Sequence, residues 1–257
     1  MNYSWFGSRH GPILNVNVWD YGERPAAWRD PRLGADSVLT LDFWRAVART
    51  AEGGGLDGLF LADSPSLNED PQQRPHRFLE PTAIVSHLIG HPERLKFIST
   101  ISTSFNDPIE VSERYIALDL ASNGRVGINV VTTTSPKAAR DFGLKHLPKR
   151  DDRYRRADEF LRVYNGYWHA RRKGDAYLYE STFFRGHTVR RPSLNILENP
   201  IIVQAGGSDR GQALAVKHAD AVFSAEMTLE NAVANRKTII AASSAVGREA
   251  QVILPGL

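Results

Sequence analysis

A glycine-rich turn that follows an apolar strand is the part of the sequence with the clearest chemical meaning. The segment reads Pro200-Ile-Ile-Val-Gln-Ala-Gly-Gly-Ser208-Asp-Arg-Gly211. Gly206 and Gly207 permit backbone angles that turn successive N–H groups to one side, and Ser208 adds a hydroxyl beside them. A helix that begins near Asp209 directs the positive end of its dipole at the same point. These features predict a phosphate site.

A plain turn between a strand and a helix is the alternative interpretation of this segment. Its spacing matches neither of the two common nucleotide-binding patterns. It is not G-x-G-x-x-G, and Gln212 and Ala213 stand where a P-loop has Lys and Ser or Thr. The turn alone leaves both interpretations open, so the rest of the chain has to separate them.

Polar side chains also mark the ends of other apolar runs. Asp63 comes after one run, Thr103 after the next, and Asn129 stands within a third. This set of hydroxyl, amide and carboxylate groups suits hydrogen bonds to a flavin ring, its ribityl chain and its phosphate. A hydrolase would need a base and nucleophile or a metal cluster, and His87 and His91 lack the glutamate of H-E-x-x-H. We therefore expect no metal site.

Composition limits the possible classes of protein. The chain has 257 residues, of which 42% are hydrophobic and 24% charged, as is usual for a globular domain. It has no cysteine, which excludes disulfides and thiolate ligands. Its net charge of +3 is spread over mixed acidic and basic residues, so we do not expect nucleic-acid binding. The sequence shows neither a signal-peptide pattern nor a membrane-length apolar run, and it predicts a cytoplasmic protein.

Apolar runs that alternate with amphipathic stretches predict an α/β protein with a parallel sheet. Seven strands are expected, at 13–19, 56–61, 95–101, 126–131, 201–204, 221–223 and 252–254. Helices are expected from residue 209 and at 41–52, 80–89, 107–121, 153–168 and 229–245. Because no G-x-G-x-x-G follows the first strand, the pattern favours a (β/α)8 TIM barrel over a Rossmann sheet.

Two segments interrupt this repeat. Thr134–Asp152 and Arg171–Asn199 are too long and too polar for simple loops between a strand and a helix. Long excursions in compact domains are often functional. We expect both segments to lie over the active site, at the carboxyl ends of the strands.

Seven blocks of the sequence, taken in order, carry a family resemblance. They are Ala26-Ala-Trp-Arg29, Leu56-Asp-Gly-Leu-Phe-Leu-Ala-Asp63, Leu79-Glu-Pro81, Ser102-Thr-Ser-Phe-Asn-Asp-Pro108, Leu118-Asp-Leu-Ala-Ser-Asn-Gly-Arg-Val-Gly-Ile-Asn-Val-Val-Thr132, Arg153-Tyr-Arg-Arg-Ala-Asp-Glu-Phe160 and Val203-Gln-Ala-Gly-Gly-Ser208. Together they resemble the bacterial-luciferase-like flavin-dependent monooxygenases, and in particular the nitrilotriacetate and dibenzothiophene-sulfone monooxygenase branch. The blocks cover nearly the whole chain.

The resemblance implies a two-component monooxygenase with a luciferase-like TIM barrel. Such an enzyme receives reduced FMN from a separate NAD(P)H:flavin reductase and inserts one oxygen atom from O2 into a small organic substrate, while the protein binds and orients the cofactor. Carried over by position, Asp63 would contact the flavin ring region and Thr103 the flavin face. Asn129 would line the pocket.

The resemblance also implies a set of phosphate-binding residues. Tyr154 and Ser208 would bind the FMN phosphate, with the amide of Gly207 beside Ser208. Arg150 stands where the family usually has a histidine, four residues before Tyr154, and its guanidinium could pair with the phosphate through two hydrogen bonds. The resemblance identifies no proton donor, so the catalytic residues stay unknown.

The C-terminal end departs from the family pattern, in which an eighth strand and closing helices follow. We therefore expect residues 1–257 to form one luciferase-like barrel domain that is truncated at its C-terminus. An incomplete barrel exposes two sheet edges, so we expect a homo-oligomer. Two alternatives stay open: an inactive or FMN-binding-only barrel, and an F420-dependent oxidoreductase of the same barrel superfamily.

Overall fold

The computed structural model describes residues 13–19, 21–22, 26–32, 34, 36–66, 79–205 and 207–254. These residues form nine strands: β1 (Asn15–Val18), β2 (Gly58–Leu61), β3 (Lys96–Ser102), β4 (Val126–Val131), β5 (Tyr177–Glu180), β6 (Arg185–Thr188), β7 (Ile201–Ala205), β8 (Ala221–Phe223) and β9 (Gln251–Ile253). They also form seven α-helices: α1 (Leu41–Gly53), α2 (Pro81–Leu88), α3 (Pro108–Ser122), α4 (Pro136–Asp141), α5 (Arg150–Lys173), α6 (Asp209–His218) and α7 (Leu229–Ala245). Within the described ranges, no helix has the length and hydrophobicity needed to cross a membrane.

Seven of these strands form one parallel sheet in the order β1-β2-β3-β4-β7-β8-β9. Each strand therefore pairs with the next sheet strand along the chain, as in a TIM barrel, whereas the order of a Rossmann sheet reverses at its centre. Right-handed crossovers between such neighbours place all the connecting helices on one face of the sheet. The predicted α/β barrel class and its seven parallel strands are confirmed.

Both faces of the sheet are buried, which explains the nearly continuous apolar runs in the sequence. Leu59, Phe97 and Ile128 belong to the main core under the helices, whereas Phe60 and Ile98 belong to a smaller cluster on the opposite face. Side chains alternate between the two faces with a period of two. A residue's place in its strand therefore decides whether it meets the helices or the barrel interior.

Helix α3 begins and ends close to where the sequence predicts. The Asp107 carboxylate accepts hydrogen bonds from the N–H groups of Ile109 (2.8 Å) and Glu110 (3.1 Å), and Pro108 occupies the first helical position. Asn123 ends the helix in the left-handed conformation, at a φ of 54°. The cap fixes the chain direction just after the loop between β3 and α3.

The first long segment lies at the carboxyl edge of the sheet, as predicted. It contains α4, whose N-cap Ser135 places its Oγ 3.5 Å from that of Ser66, in the loop after β2. Phe142, just after α4, stacks on Phe105 in the loop after β3, with ring centroids 4.3 Å apart. This segment therefore contacts both the loop after β2 and the loop after β3.

The prediction that Arg171–Asn199 also covers the active site is wrong. This segment contains the antiparallel hairpin of β5 and β6, which packs against α5. The Phe184 ring makes an edge contact with Phe160 of α5, at 6.0 Å between centroids. Further along the segment, the carbonyl of Leu197 accepts a hydrogen bond from the Trp168 indole (2.9 Å).

The physical reason is the wide apolar surface of α5. Phe160 and Tyr164 of this helix pack in the main core, and Tyr164 also faces Tyr115 of α3. Tyr167 follows one turn later on the same face and also faces Tyr177 of β5. One layer of sheet cannot bury all these rings, so the hairpin covers the remainder.

Gly174→Ala is expected to destabilise the protein by about 3 kcal/mol, because the left-handed backbone and a steric clash both disfavour the added methyl group. Gly174 ends α5 in the left-handed region at a φ of 80°, and a Cβ there would lie 2.5 Å from the carbonyl oxygen of Arg191. In the control Gly143→Ala the φ is similar, 78°, but no described atom beyond the chain neighbours lies within 4 Å of the added Cβ, so we expect a loss of about 1 kcal/mol. Urea unfolding measures both variants. Equal losses of unfolding free energy in the two variants would contradict close packing between the end of α5 and the segment around Arg191.

Candidate functional site

The residues expected to bind a flavin lie along one edge of the sheet. Asp63 follows β2, Thr103 follows β3, Asn129 lies within β4, and Ser208 follows β7. Because the strands are parallel, their carboxyl ends meet at this edge, where TIM barrels bind their ligands. Tyr154 reaches the same edge from the first turns of α5.

Tyr154 and Ser208 are far apart in sequence but meet at this edge. The Tyr154 hydroxyl oxygen lies 3.3 Å from Ser208 Oγ. Ser208 is the N-cap of α6, and its Oγ accepts a hydrogen bond from the N–H of Gly211 (3.3 Å). The guanidinium carbon of Arg150 lies 5.9 Å from the centre of the Tyr154 ring. We call Arg150, Tyr154, Gly207 and Ser208 the cradle.

The cradle has space for a ligand beside the Ser208 hydroxyl. Apart from its chain neighbours, no described atom lies within 4 Å of the point where a Cβ on Gly207 would stand. Gly206, the other glycine of the turn, lies outside the described residues. Two hydroxyls, a guanidinium and a helix N-terminus are the donors that suit an anion with several oxygen atoms. The residues present therefore fit a phosphate monoester such as that of FMN.

Ion pairs between α5 and α6 hold the two halves of the cradle together. Asp151 pairs with Arg210 (2.8 Å), and Asp158 pairs with Lys217 (2.6 Å) and also forms a hydrogen bond with His218 (2.7 Å). Burial would raise the pKa of Asp158, but the hydrogen bonds from Lys217 and His218 hold it below its usual value. One contact lies near each end of α6, so the two helices are fixed side by side.

Asn129 presents an unused acceptor in the buried part of the site. Its Nδ2 donates to Thr100 Oγ1 on the neighbouring strand (2.9 Å), whereas its buried Oδ1 has no hydrogen-bond partner among the described residues. Asn129 is 4% exposed. A buried acceptor without a partner is uncommon and points to a ligand group or a water molecule that donates to it.

Thr103 does not offer a free hydroxyl. The residue is 1% exposed, and its Oγ1 donates to the carbonyl of Val131 (3.2 Å), which also accepts from the Thr103 N–H (2.9 Å). The expected contact of Thr103 with a flavin face stays a prediction. In this arrangement it would involve the methyl group or the backbone.

Asp63 lines a cavity of about 350 Å³ at the ends of β2 and β3. Other residues that line it are Glu80, Phe105, Arg114 and Phe142. Burial is the main cause that raises the pKa of Asp63 to about 6, the negative charge of Glu80 adds to it, and a hydrogen bond from the Ser64 backbone opposes it. A carboxyl with such a pKa can hold or release a proton close to neutral pH, which is a common property of functional groups.

The structure brings the four cradle residues together and leaves Asp63, Thr103 and Asn129 at separate points of the same edge. This cradle is the part of the site that the sequence locates most completely. In the part of the chain that the structure describes, no group of three or more His, Asp or Glu residues could hold a metal ion.

Glu80 and Arg114 of the cavity are not identified from the sequence. Their side chains approach to 4.0 Å, and Glu80 also caps α2 by accepting from the N–H of Ala83 (2.9 Å). The block Leu79-Glu-Pro81 contains one signal for Glu80, because an acidic residue before a proline predicts a helix start. Arg114 gives no signal, since charged residues on a helix surface are common.

Known proteins match the chain over most of its length. A family model described as "Luciferase-like monooxygenase" matches residues 25–256. The N-acetyl-S-(2-succino)cysteine monooxygenase of Bacillus subtilis (strain 168) is 34% identical, over 95% of this chain and 60% of that protein. Nitrilotriacetate monooxygenase component A of Aminobacter aminovorans is 32% identical, over 96% of this chain and 60% of that protein. The chain thus spans about 60% of the length of these curated relatives.

A solved structure matches the fold closely. EDTA monooxygenase (EmoA) from Chelativorans sp. BNC1 gives a TM-score of 0.87 at 27% identity, over 94% of this chain and 61% of that chain. The family resemblance carried by the seven sequence blocks is confirmed by these matches.

Asp63→Asn is expected to stabilise the protein at pH 8 by about 1 kcal/mol and to leave its stability unchanged near pH 4. Because folding raises the pKa of Asp63, the folded state favours the protonated carboxyl. The stability from this group is present below the ordinary pKa of 3.8 and is lost as the pH rises through about 6. Asparagine removes the charged form and so removes that loss.

Urea unfolding at both pH values measures this difference. The matched control is Asp42→Asn on α1, where the side chain is 87% exposed. A gain at pH 4 as large as the gain at pH 8 would contradict a buried carboxylate as the cause.

Proposed function

Because the chain belongs to the luciferase-like monooxygenase family, we propose that it binds reduced FMN and uses O2 to oxygenate a small organic substrate. In this proposal a separate NAD(P)H:flavin reductase supplies the reduced FMN, so the chain acts as the oxygenating component of a two-component system. The name of the Aminobacter relative, component A of nitrilotriacetate monooxygenase, supports such a division of labour.

The cradle is the observation that carries this proposal. A phosphate placed there would accept hydrogen bonds from the hydroxyls of Tyr154 and Ser208, which lie 3.3 Å apart, and from N–H groups at the start of α6. The guanidinium of Arg150 would add a charge-assisted contact. A plain turn between a strand and a helix needs Ser208 as a cap, but it does not explain why Tyr154 and Arg150 stand at the same point.

The rest of the edge would hold the flavin ring. Asn129 would accept a hydrogen bond from the cofactor at its buried Oδ1. Asp63, at the end of β2, would hold or release a proton near the ring, since its pKa is raised to about 6. When bound, reduced FMN supplies the electrons for the reaction with O2, and the chain supplies binding, orientation and a dry site.

The cavity beside Asp63 is our candidate for the substrate side of the site. Its volume, about 350 Å³, falls in the range of small-molecule pockets. The stacked rings of Phe105 and Phe142 present an apolar surface to this cavity, while Glu80 and Arg114 supply polar contacts. We also propose that residues 1–257 belong to one barrel domain, because a single core cluster includes side chains of α1, α2, α3, α5, α6 and α7, and Val252 of β9 packs against it.

The first test is an anaerobic titration of the chain with reduced FMN and, separately, with reduced riboflavin, which has the same ring without the phosphate. We expect saturable binding of both, with FMN bound more tightly because only FMN can use the cradle. Equal affinities would contradict the phosphate site. Tighter binding of reduced F420 than of reduced FMN would contradict the proposed cofactor.

Tyr154→Phe and Ser208→Ala are each expected to weaken FMN binding by about 1 to 2 kcal/mol, because each removes a hydroxyl that donates to phosphate. Riboflavin binding should not change in either variant. Since Ser208 also caps α6, Thr40→Ala is the matched control: Thr40 caps α1 in the same way, and its Oγ1 accepts from the N–H of Phe43 at 3.3 Å. An unchanged FMN affinity in Ser208→Ala would remove Ser208 from the site.

A further inference from the structure

Arg156 connects the helix of the cradle to the loop that follows β3. Its Nε donates to the carbonyl of Thr103 (3.1 Å), and its NH2 group donates to the carbonyl of Asn106 (3.2 Å). These carbonyls stand at the two ends of one four-residue turn. A single guanidinium therefore holds both ends of the loop 103–106.

A second contact fixes the guanidinium itself. Its carbon lies 4.4 Å from the centre of the Phe184 ring, and Phe184 is a buried residue of the hairpin segment. A cation over an aromatic face is attracted by the ring, and more strongly where water is excluded. The side chain thus has support on one side from the hairpin and on the other from the loop.

The loop that Arg156 holds belongs to the candidate site. It carries Thr103, and its residues Phe105 and Asn106 line the cavity beside Asp63. The loop is also held from within, because the Asn106 side chain donates to the carbonyl of Ser102 (2.8 Å). Any movement of its carbonyl ends would change the wall that a flavin ring or a substrate meets.

Arg156 stands two residues after Tyr154, so it lies about 3 Å further along the axis of α5. The phosphate group and the ring of FMN are parts of one molecule, and both must fit at once. A rigid link between the helix that meets the phosphate and the loop that meets the ring would set the separation of these two half-sites.

We propose that Arg156 is a positioning residue, which holds the loop 103–106 at the distance from the cradle that bound FMN requires. This inference rests on the proposed function, because it assumes that the loop meets the flavin. It assigns Arg156 no direct contact with the phosphate.

Arg156→Gln tests the proposal, since glutamine keeps a donor but cannot reach both carbonyls or stack as a cation. We expect faster amide hydrogen exchange of Thr103 and Ser104 in the flavin-free chain, because their N–H groups donate to the Val131 carbonyl (2.9 Å) and to Ser102 Oγ (3.2 Å). We also expect the affinities for reduced FMN and for reduced riboflavin to fall together, each by about tenfold, with an altered absorption spectrum of the bound flavin. Ser208→Ala, in contrast, should change the ratio of the two affinities.

Two further variants separate positioning from general stability. Arg155→Gln is the matched control, because Arg155 is the neighbouring arginine, its side chain is 64% exposed and it pairs with Asp152 (2.8 Å). It should leave the exchange rates and both affinities unchanged. Arg156→Lys keeps the charge and one donor, so it should restore part of the affinity. It also replaces Arg156→Gln if that variant does not fold.

Unchanged exchange in the loop would overturn the proposal, and so would a loss of FMN affinity without a loss of riboflavin affinity, which would make Arg156 a phosphate ligand. If the unaltered chain bound no flavin, the proposed function would fail and the flavin part of this inference with it. The exchange measurement would still decide whether Arg156 holds the loop.

Discussion

The placement of α5 is the constraint on which the rest of the site depends. Its aromatic residues pack both into the main core and against the hairpin, and ion pairs from Asp151 and Asp158 link it to α6. A helix that is packed against several elements is held rigidly, so its first turn has one position relative to the sheet. Arg150 and Tyr154 stand at the carboxyl edge because the helical turns that follow them are buried. The hydrophobic packing of one end thereby determines the chemistry available at the other.

The sheet could be predicted because its strands are buried on both faces and read as apolar runs, and the helices because caps such as Asp107 mark their starts. The ends of α5 were less predictable: apolar spacing stops at Trp168, whereas the helix continues through charged residues to Lys173. The hairpin of β5 and β6 could not be foreseen. Its strands have four residues each, and they are stable only against α5, a contact that no local pattern encodes.

In the candidate site, too, local features could be predicted from the sequence and long-range contacts could not. The turn at Gly207 and Ser208 is a local feature, so its geometry follows from residue types that stand together in the sequence. The cavity beside Asp63 takes Glu80 and Arg114 from two separate helices, and the link through Arg156 joins a helix to a loop some fifty residues earlier. Such contacts exist only once the barrel has formed. Thr103 differs from these residues, because the sequence suggests a hydroxyl that could bind a ligand, whereas in the fold this hydroxyl donates a hydrogen bond to the Val131 carbonyl.

The two long excursions differ in what a change of sequence within them would do. The segment around α4 stands at the rim, where Phe142 forms part of the cavity wall. The hairpin segment stands behind α5, where its residues complete the packing of the core. The part of this segment around α4, which precedes Arg150, could therefore change to admit new molecules while the cradle stayed intact. A change in the second segment would first alter the stability of α5, because Phe184 and the carbonyl of Leu197 pack against this helix or accept a hydrogen bond from it.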